Sequence, residues 1–173
     1  MSAEPTLNVA GKSELVAGYA ARYGFSTLIE TGLYNGSGTG MRLDRLALGI
    51  AAYFALDNNV ANIIAAERTD PGALCLFGDS GETLPALLAA LEAPALFWLD
   101  AHTNTEIGDP IAGTPLGGEL LAIRAWDHGA ASVVLIDDAR LIDGPGWPTM
   151  RVVRALASPW TFELADDVIR LTP

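Results

Sequence analysis

Acidic residues recur in this chain at the ends of short apolar runs. Glu30 closes Ser26–Ile29, Asp57 closes Ala52–Leu56, and Gly78-Asp79 closes Ala73–Phe77. Asp100 closes Ala95–Leu99, and the pair Asp137-Asp138 closes Ser132–Ile136. A carboxylate in such a place can accept hydrogen bonds from a diol or an amine, hold a hard cation, or take a proton. The first of these residues opens a glycine-rich stretch, Glu30-Thr-Gly-Leu-Tyr-Asn-Gly-Ser-Gly-Thr39, followed by Met41–Leu48, which reads as a helix. Glycines let a ligand approach the backbone, and a helix N-terminus offers free N–H groups, so the stretch reads as a nucleotide-cofactor cradle.

The elements that must position these groups alternate. Ser13–Tyr23 reads as a helix capped by Ser13 and ended by Gly24, with Leu15, Val16, Tyr19 and Tyr23 on its core face. The five apolar runs read as strands, and 41–48, 58–68, 82–91, 115–126 and 148–157 read as helices. Thr161–Leu164 and Val168–Leu171 read as a closing hairpin. This order predicts one α/β domain, a doubly wound, Rossmann-like parallel sheet with helices on both faces. Its helix lies within residues 1–25 and its cofactor-binding body in 26–173. The acidic strand ends then converge on one rim, where open parallel sheets bind their ligands.

Composition narrows the partners. The formal net charge of −11 disfavours nucleic acid and anionic membrane surfaces. Only 18% of residues are charged, which suits a sheet covered on both faces. The one cysteine, Cys75, has neither a disulfide partner nor a zinc-site spacing and reads as a small buried hydrophobe. The polar start, Met1–Lys12, has no signal-peptide core, and no apolar run reaches the ~20 residues of a membrane span, so a cytoplasmic protein is expected. Lys12 is the only lysine, a scarcity that reads as genomic composition.

Two cofactors suit the glycine stretch. Gly36-Ser-Gly38-Thr-Gly40 looks like part of a dinucleotide fingerprint, with Asp57 about the expected ~20 residues beyond it. The spacing 32, 36, 38 does not match that fingerprint. S-adenosylmethionine fits better, because it needs carboxylates rather than a pyrophosphate site. Asp57 can accept both ribose hydroxyls, Asp79 with Ser80 can bind the adenine amine, and Glu30 can anchor the turn under the methionine part. An acidic rim also suits the positive sulfonium.

Glu30-Thr-Gly-Leu-Tyr-Asn-Gly36, Asp57, Gly78-Asp79 and Phe97-Trp-Leu-Asp100 together resemble the class I S-adenosylmethionine-dependent methyltransferases. The resemblance runs from about Ser26 to the C-terminus. It implies a seven-stranded sheet with its last strand antiparallel, and a cofactor site that includes Gly32, Tyr34, Gly36 and Asp100. Asp100 and Asp137-Asp138 further resemble the metal-dependent catechol-type and macrolide-sugar O-methyltransferases. That likeness implies Mg2+ held by Asp100, Asp137 and Asp138, and methylation of a hydroxyl on a small molecule.

Those enzymes carry a basic residue soon after the first of these aspartates. Here Thr103-Asn104 stands in that area, leaving His102 as the candidate proton acceptor beside Asp100. Trp147, in Asp143-Gly-Pro-Gly-Trp-Pro148, is placed to wall a substrate pocket. Only about 25 residues precede the first strand, so substrate selection falls to residues 101–114, to the Trp147 loop, or to a second subunit of a homodimer. Two other readings remain: a methyltransferase-fold binding or scaffold protein without catalysis, and a nicotinamide-dependent oxidoreductase.

Overall fold

The computed structural model describes residues 7–103 and 113–173. Seven strands form one sheet: β1 (Thr27–Thr31), β2 (Ala52–Asp57), β3 (Leu74–Phe77), β4 (Leu96–Leu99), β5 (Val133–Ile136), β6 (Thr161–Ala165) and β7 (Val168–Thr172). The spatial order is β3-β2-β1-β4-β5-β7-β6. The first five strands are parallel, with Ile29 beside Phe54 on one side and Phe97 on the other. β7 runs antiparallel between β5 and β6. Strand order reverses between β1 and β4, so the switch point lies at their C-terminal ends.

Among the described residues five helices cover the sheet: α1 (Val9–Tyr23), α2 (Val60–Thr69), α3 (Ser80–Leu88), α4 (Leu116–Ala125) and α5 (Met150–Leu156). Strand alternation splits the core in two. Ile29, Phe97, Leu99, Val134 and Ile136 face Leu84, Leu120, Ile123 and Val153 of α3, α4 and α5. Leu28, Leu96, Trp98, Val133 and Leu135 face Val16, Ala20, Ile63 and Ala66 of α1 and α2. The edges are less covered. Phe77 of β3 is 64% exposed, and Cys75 on the same edge strand is half-buried rather than interior.

Two local expectations change. Helix α1 begins at Val9, because the Asn8 side chain accepts from the Gly11 N–H at 2.9 Å and caps it. Ser13 is therefore inside the helix and Lys12 lies in its first turn. Gly24 ends it as expected, in the left-handed region at φ 69°.

The helix expected over 41–48 is replaced by a 3-10 turn, Gly40–Arg42, and a series of turns. The backbone just before it is held elsewhere: Thr39 and Gly40 donate to the Glu30 carboxylate at 2.5 and 2.8 Å. Arg45 is drawn away to pair with Asp70 and to lie 4.7 Å over the Tyr53 ring. Asp44 accepts from Ala47 in a local turn, and Gly49 closes it at φ 73°.

Candidate functional site

The C-terminal ends of β2, β1, β4 and β5 continue past the ladder in a staggered row. Gly32 N–H donates to Leu56 O, Asp100 N–H to Thr31 O, and Asp137 N–H to Leu99 O, at 2.9, 3.0 and 3.0 Å. The backbone thus carries Glu30, Asp57, Asp100 and Asp137 to one rim. What their carboxylates meet there differs along the row.

At β1 and β2 they meet the protein's own amides. Glu30 is buried and accepts from Thr39 N–H, Gly40 N–H and the Tyr53 hydroxyl, the last at 2.6 Å. Burial raises its carboxyl above the ordinary range, against those three bonds. Asp57 accepts from Leu33 N–H at 2.6 Å, Asn59 N–H at 2.7 Å and the Asn62 amide at 3.2 Å. The glycines serve close packing. A methyl on Gly32 (φ 86°) would lie 2.5 Å from the Asp100 carbonyl oxygen, and Gly36 (φ 70°) presses on Ala65 and Ala66 of α2. Tyr34, in the short turn Tyr34–Gly36, is 60% exposed.

Asp79 is exposed before α3, and its side chain makes no capping bond. Ser80 is buried, and its hydroxyl donates to Glu119 of α4 at 2.6 Å. It is therefore turned away from Asp79 as a joint partner. Glu119 is a site residue that composition and pattern did not reveal. It is buried, and burial pushes its carboxyl up to about 7, against its hydrogen bonds with Ser80 and Thr31. It lines a closed crevice with Asp100, Thr114, Ile136 and Trp147.

At β4 and β5 the carboxylates meet side-chain cations. Lys12 reaches from the first turn of α1 to pair with Asp137, and its ammonium lies 4.0 Å from Asp138. His102 Nε2 is 3.1 Å from Asp138 Oδ2 and 3.9 Å from Asp100 Oδ1. Its ring tilts against Trp147 at 5.7 Å between centroids. Arg140 donates to Asp138 at 2.7 Å and pairs with Asp167 from the β6–β7 turn. Asp138 itself sits at φ 55°, where its backbone N–H donates to Asp137 Oδ1 at 2.8 Å.

The charges shape one another. Burial would raise the Asp138 carboxyl, but the hydrogen bond from His102 and the charges of Lys12 and Arg140 hold it at about 2. The same hydrogen bond to Asp138 lifts His102 to about 9, against burial. The imidazole is then protonated at neutral pH, and it is not poised as the general base expected of it. Asp100 moves the other way: burial, with repulsion from Asp137, raises it well above the ordinary carboxylate range.

Three ligand atoms converge among the described residues, those of Asp100, His102 and Asp138, within 4.8 Å of one another. Asp137 instead turns to Lys12. The expected Mg2+ set does not fit this arrangement. Mg2+ requires a near-octahedral shell of oxygens, and here an ammonium and an imidazolium already neutralise the carboxylates. Asn104, weighed above as standing near the missing base, lies outside the described residues.

No protein-family model matches the chain, and no curated protein matches it. Solved structures do. The SAH-bound methyltransferase PaMTH1 of Podospora anserina superposes with a TM-score of 0.62 at 16% identity, over 96% of this chain and 79% of that one. The fold is that of the class I methyltransferases. The O-methyltransferase of Bacillus cereus in complex with SAH gives 0.60 at 13% identity, over 99% and 84%. The O-methyltransferase TomG of Streptomyces achromogenes, involved in tomaymycin synthesis and in complex with SAM, gives 0.57 at 14%, over 92% and 78%. At these identities the likeness is one of methyltransferase fold, and the rim of acidic residues must carry the rest.

Proposed function

We propose that this chain is an S-adenosylmethionine-dependent methyltransferase acting on a hydroxyl of a small molecule. The carrying observation is the division of one acidic rim, at the switch point of this fold, into two differently built halves. On the β2–β3 side, Asp57 keeps acceptor capacity beyond its three own-chain donors, and Asp79 is free of any cap. These two suit a ribose diol and an adenine amine. Glu30, Gly32 and Gly36 hold the shape of the intervening turn, beside which Tyr34 is exposed. When bound, the cofactor would supply a methyl group on a sulfonium.

The β4–β5 side suits the acceptor. The crevice beside Asp100 is walled by Trp147 and lined by Glu119, and it would have to open to admit the acceptor. Asp100, a carboxylate of raised basicity at the mouth, takes the acceptor's proton. Protonated His102 holds Asp138 through Nε2 while its Nδ1–H donates to the Thr103 carbonyl. The remaining work is alignment of acceptor and methyl donor.

Titration calorimetry with S-adenosylhomocysteine tests this reading. One site per chain is expected, weakened about tenfold by Asp79→Ala, the loss of a hydrogen bond to a charged group. A second reading, a methyltransferase-fold scaffold without catalysis, is favoured by the use of Glu30, Asp57 and Gly36 for the protein's own packing. Absence of any binding by the folded chain would decide for the scaffold.

A further inference from the structure

The chain has one lysine, and it points into the candidate site. Its place is well determined. Asn8 caps α1, and Val16 and Ala20 bury the helix against the sheet face, which sets the first turn over the end of β5. The Lys12 side chain is 18% exposed and Asp137 only 1%. Besides this ion pair, Asp137 Oδ2 has no hydrogen-bond partner among the described residues. Removing Lys12 would leave a buried carboxylate oxygen with nothing to neutralise it, next to Asp138 and facing Asp100.

We propose that Lys12 is the fixed cation of the acceptor site, standing where a divalent metal would otherwise bridge Asp100, Asp137 and Asp138, and that the site works without metal. Two permanent cations already sit among the carboxylates there: Lys12 on Asp137, and Arg140 shared between Asp138 and Asp167, with His102 Nε2 3.1 Å from Asp138. A divalent ion that used Asp137 together with Asp100 and Asp138 would have to expel the ammonium. The expelled lysine would then lie beside a doubly charged ion at the same rim, and the repulsion at such range is strong in a partly buried setting. An ammonium also does part of a metal's work: it fixes the carboxylates and presents positive charge toward an acceptor oxygen. Lys12 is a positioning residue in this scheme, acting through Asp137 and Asp138. The acceptor role rests on the methyltransferase reading; the cation assignment does not.

The experiment is a Mn2+ titration of the full chain, read by electron paramagnetic resonance, with Lys12→Met and Lys12→Arg alongside. The wild-type chain and Lys12→Arg are expected to show no stoichiometric site at millimolar Mn2+. Lys12→Met, with its helix content confirmed by circular dichroism, is expected to bind one equivalent at least about tenfold more tightly than wild type. One tight equivalent bound by the wild-type chain overturns the proposal, as does a folded Lys12→Met that gains no affinity. Should Lys12→Met fail to fold, the wild-type and Lys12→Arg titrations still decide. Failure to bind S-adenosylhomocysteine, with the Mn2+ results as expected, would remove the methyltransferase reading and leave Lys12 as the site's cation.

Discussion

The acidic residues at the ends of β1 and β2 and those at the ends of β4 and β5 occupy equivalent places in the sheet and have opposite surroundings. Glu30 and Asp57 are satisfied by neutral donors, five of the six being on segments next to them in the β1–β2 region. Asp137 and Asp138 are satisfied by cations brought from α1, from the β4 loop and from the turn after β5. The first pair therefore belongs to the folding of the glycine turn, and the second to an electrostatic balance. Mutations in the first half should act chiefly by orphaning the turn's own donors, and those in the second by unbalancing its ion pairs.

The largest effect is expected at Glu30. Glu30→Ala leaves Thr39 N–H, Gly40 N–H and the Tyr53 hydroxyl without an acceptor, all beside a buried carboxylate's former place. A loss of about 3–5 kcal/mol in unfolding free energy is expected by urea titration at pH 6, and it should not grow as pH rises, because burial raises the Glu30 carboxyl and its contribution declines at higher pH. A loss below about 1 kcal/mol would mean that the glycine turn does not depend on this acid, and the contrast between the halves would fail.

The two halves were not equally legible in the sequence. Alternation of apolar runs with helical segments gave the strand order class, because a buried parallel sheet needs near-continuous apolar strands. The acidic residues ending those runs were visible for the same reason. The glycines were visible too, but their use was not. Gly32 and Gly36 read as room for a ligand, and the structure fills that room with Asp100 backbone and α2. The helix over 41–48 failed because Glu30 holds the preceding backbone at Thr39 and Gly40 and Arg45 goes to Asp70, contacts that no local propensity encodes. Lys12 was missed because its partner is joined to it only through the tertiary fold. Its signal was present all the same, as the one lysine in 173 residues.

Glu119 lies at the boundary between the halves and sharpens the comparison. Its folded pKa of about 7 stands above the ordinary 4.5, so the folded state holds an extra proton between those values. Its neutral form is favoured by burial, and stability falls as pH rises from about 4.5 to about 7, then levels. Glu119→Gln keeps an acceptor for Ser80 and removes the charge. It should stabilise the protein by about 2 kcal/mol at pH 8 and leave it nearly unchanged at pH 4.5. Equal stabilisation at both pH values would show that the gain is packing and that the carboxyl is not buried in charged form.

The smallest effect separates His102 from Glu119 by its window. His102 rises from 6.5 to about 9, chiefly through its hydrogen bond to Asp138. A histidine with a raised folded pKa contributes stability that is complete below about 6.5 and is lost as pH climbs through about 9. The side chain is 22% exposed, so solvent screening reduces the contribution to about 1 kcal/mol. His102→Gln should flatten the stability profile between pH 6.5 and 9 while leaving the slope between 4.5 and 7 intact, and Glu119→Gln should do the reverse. The paired profiles also bear on chemistry. If His102→Gln leaves the upper window unchanged, the imidazole is not held protonated by Asp138, and a neutral His102 next to Asp100 regains its place as the group that takes the acceptor's proton.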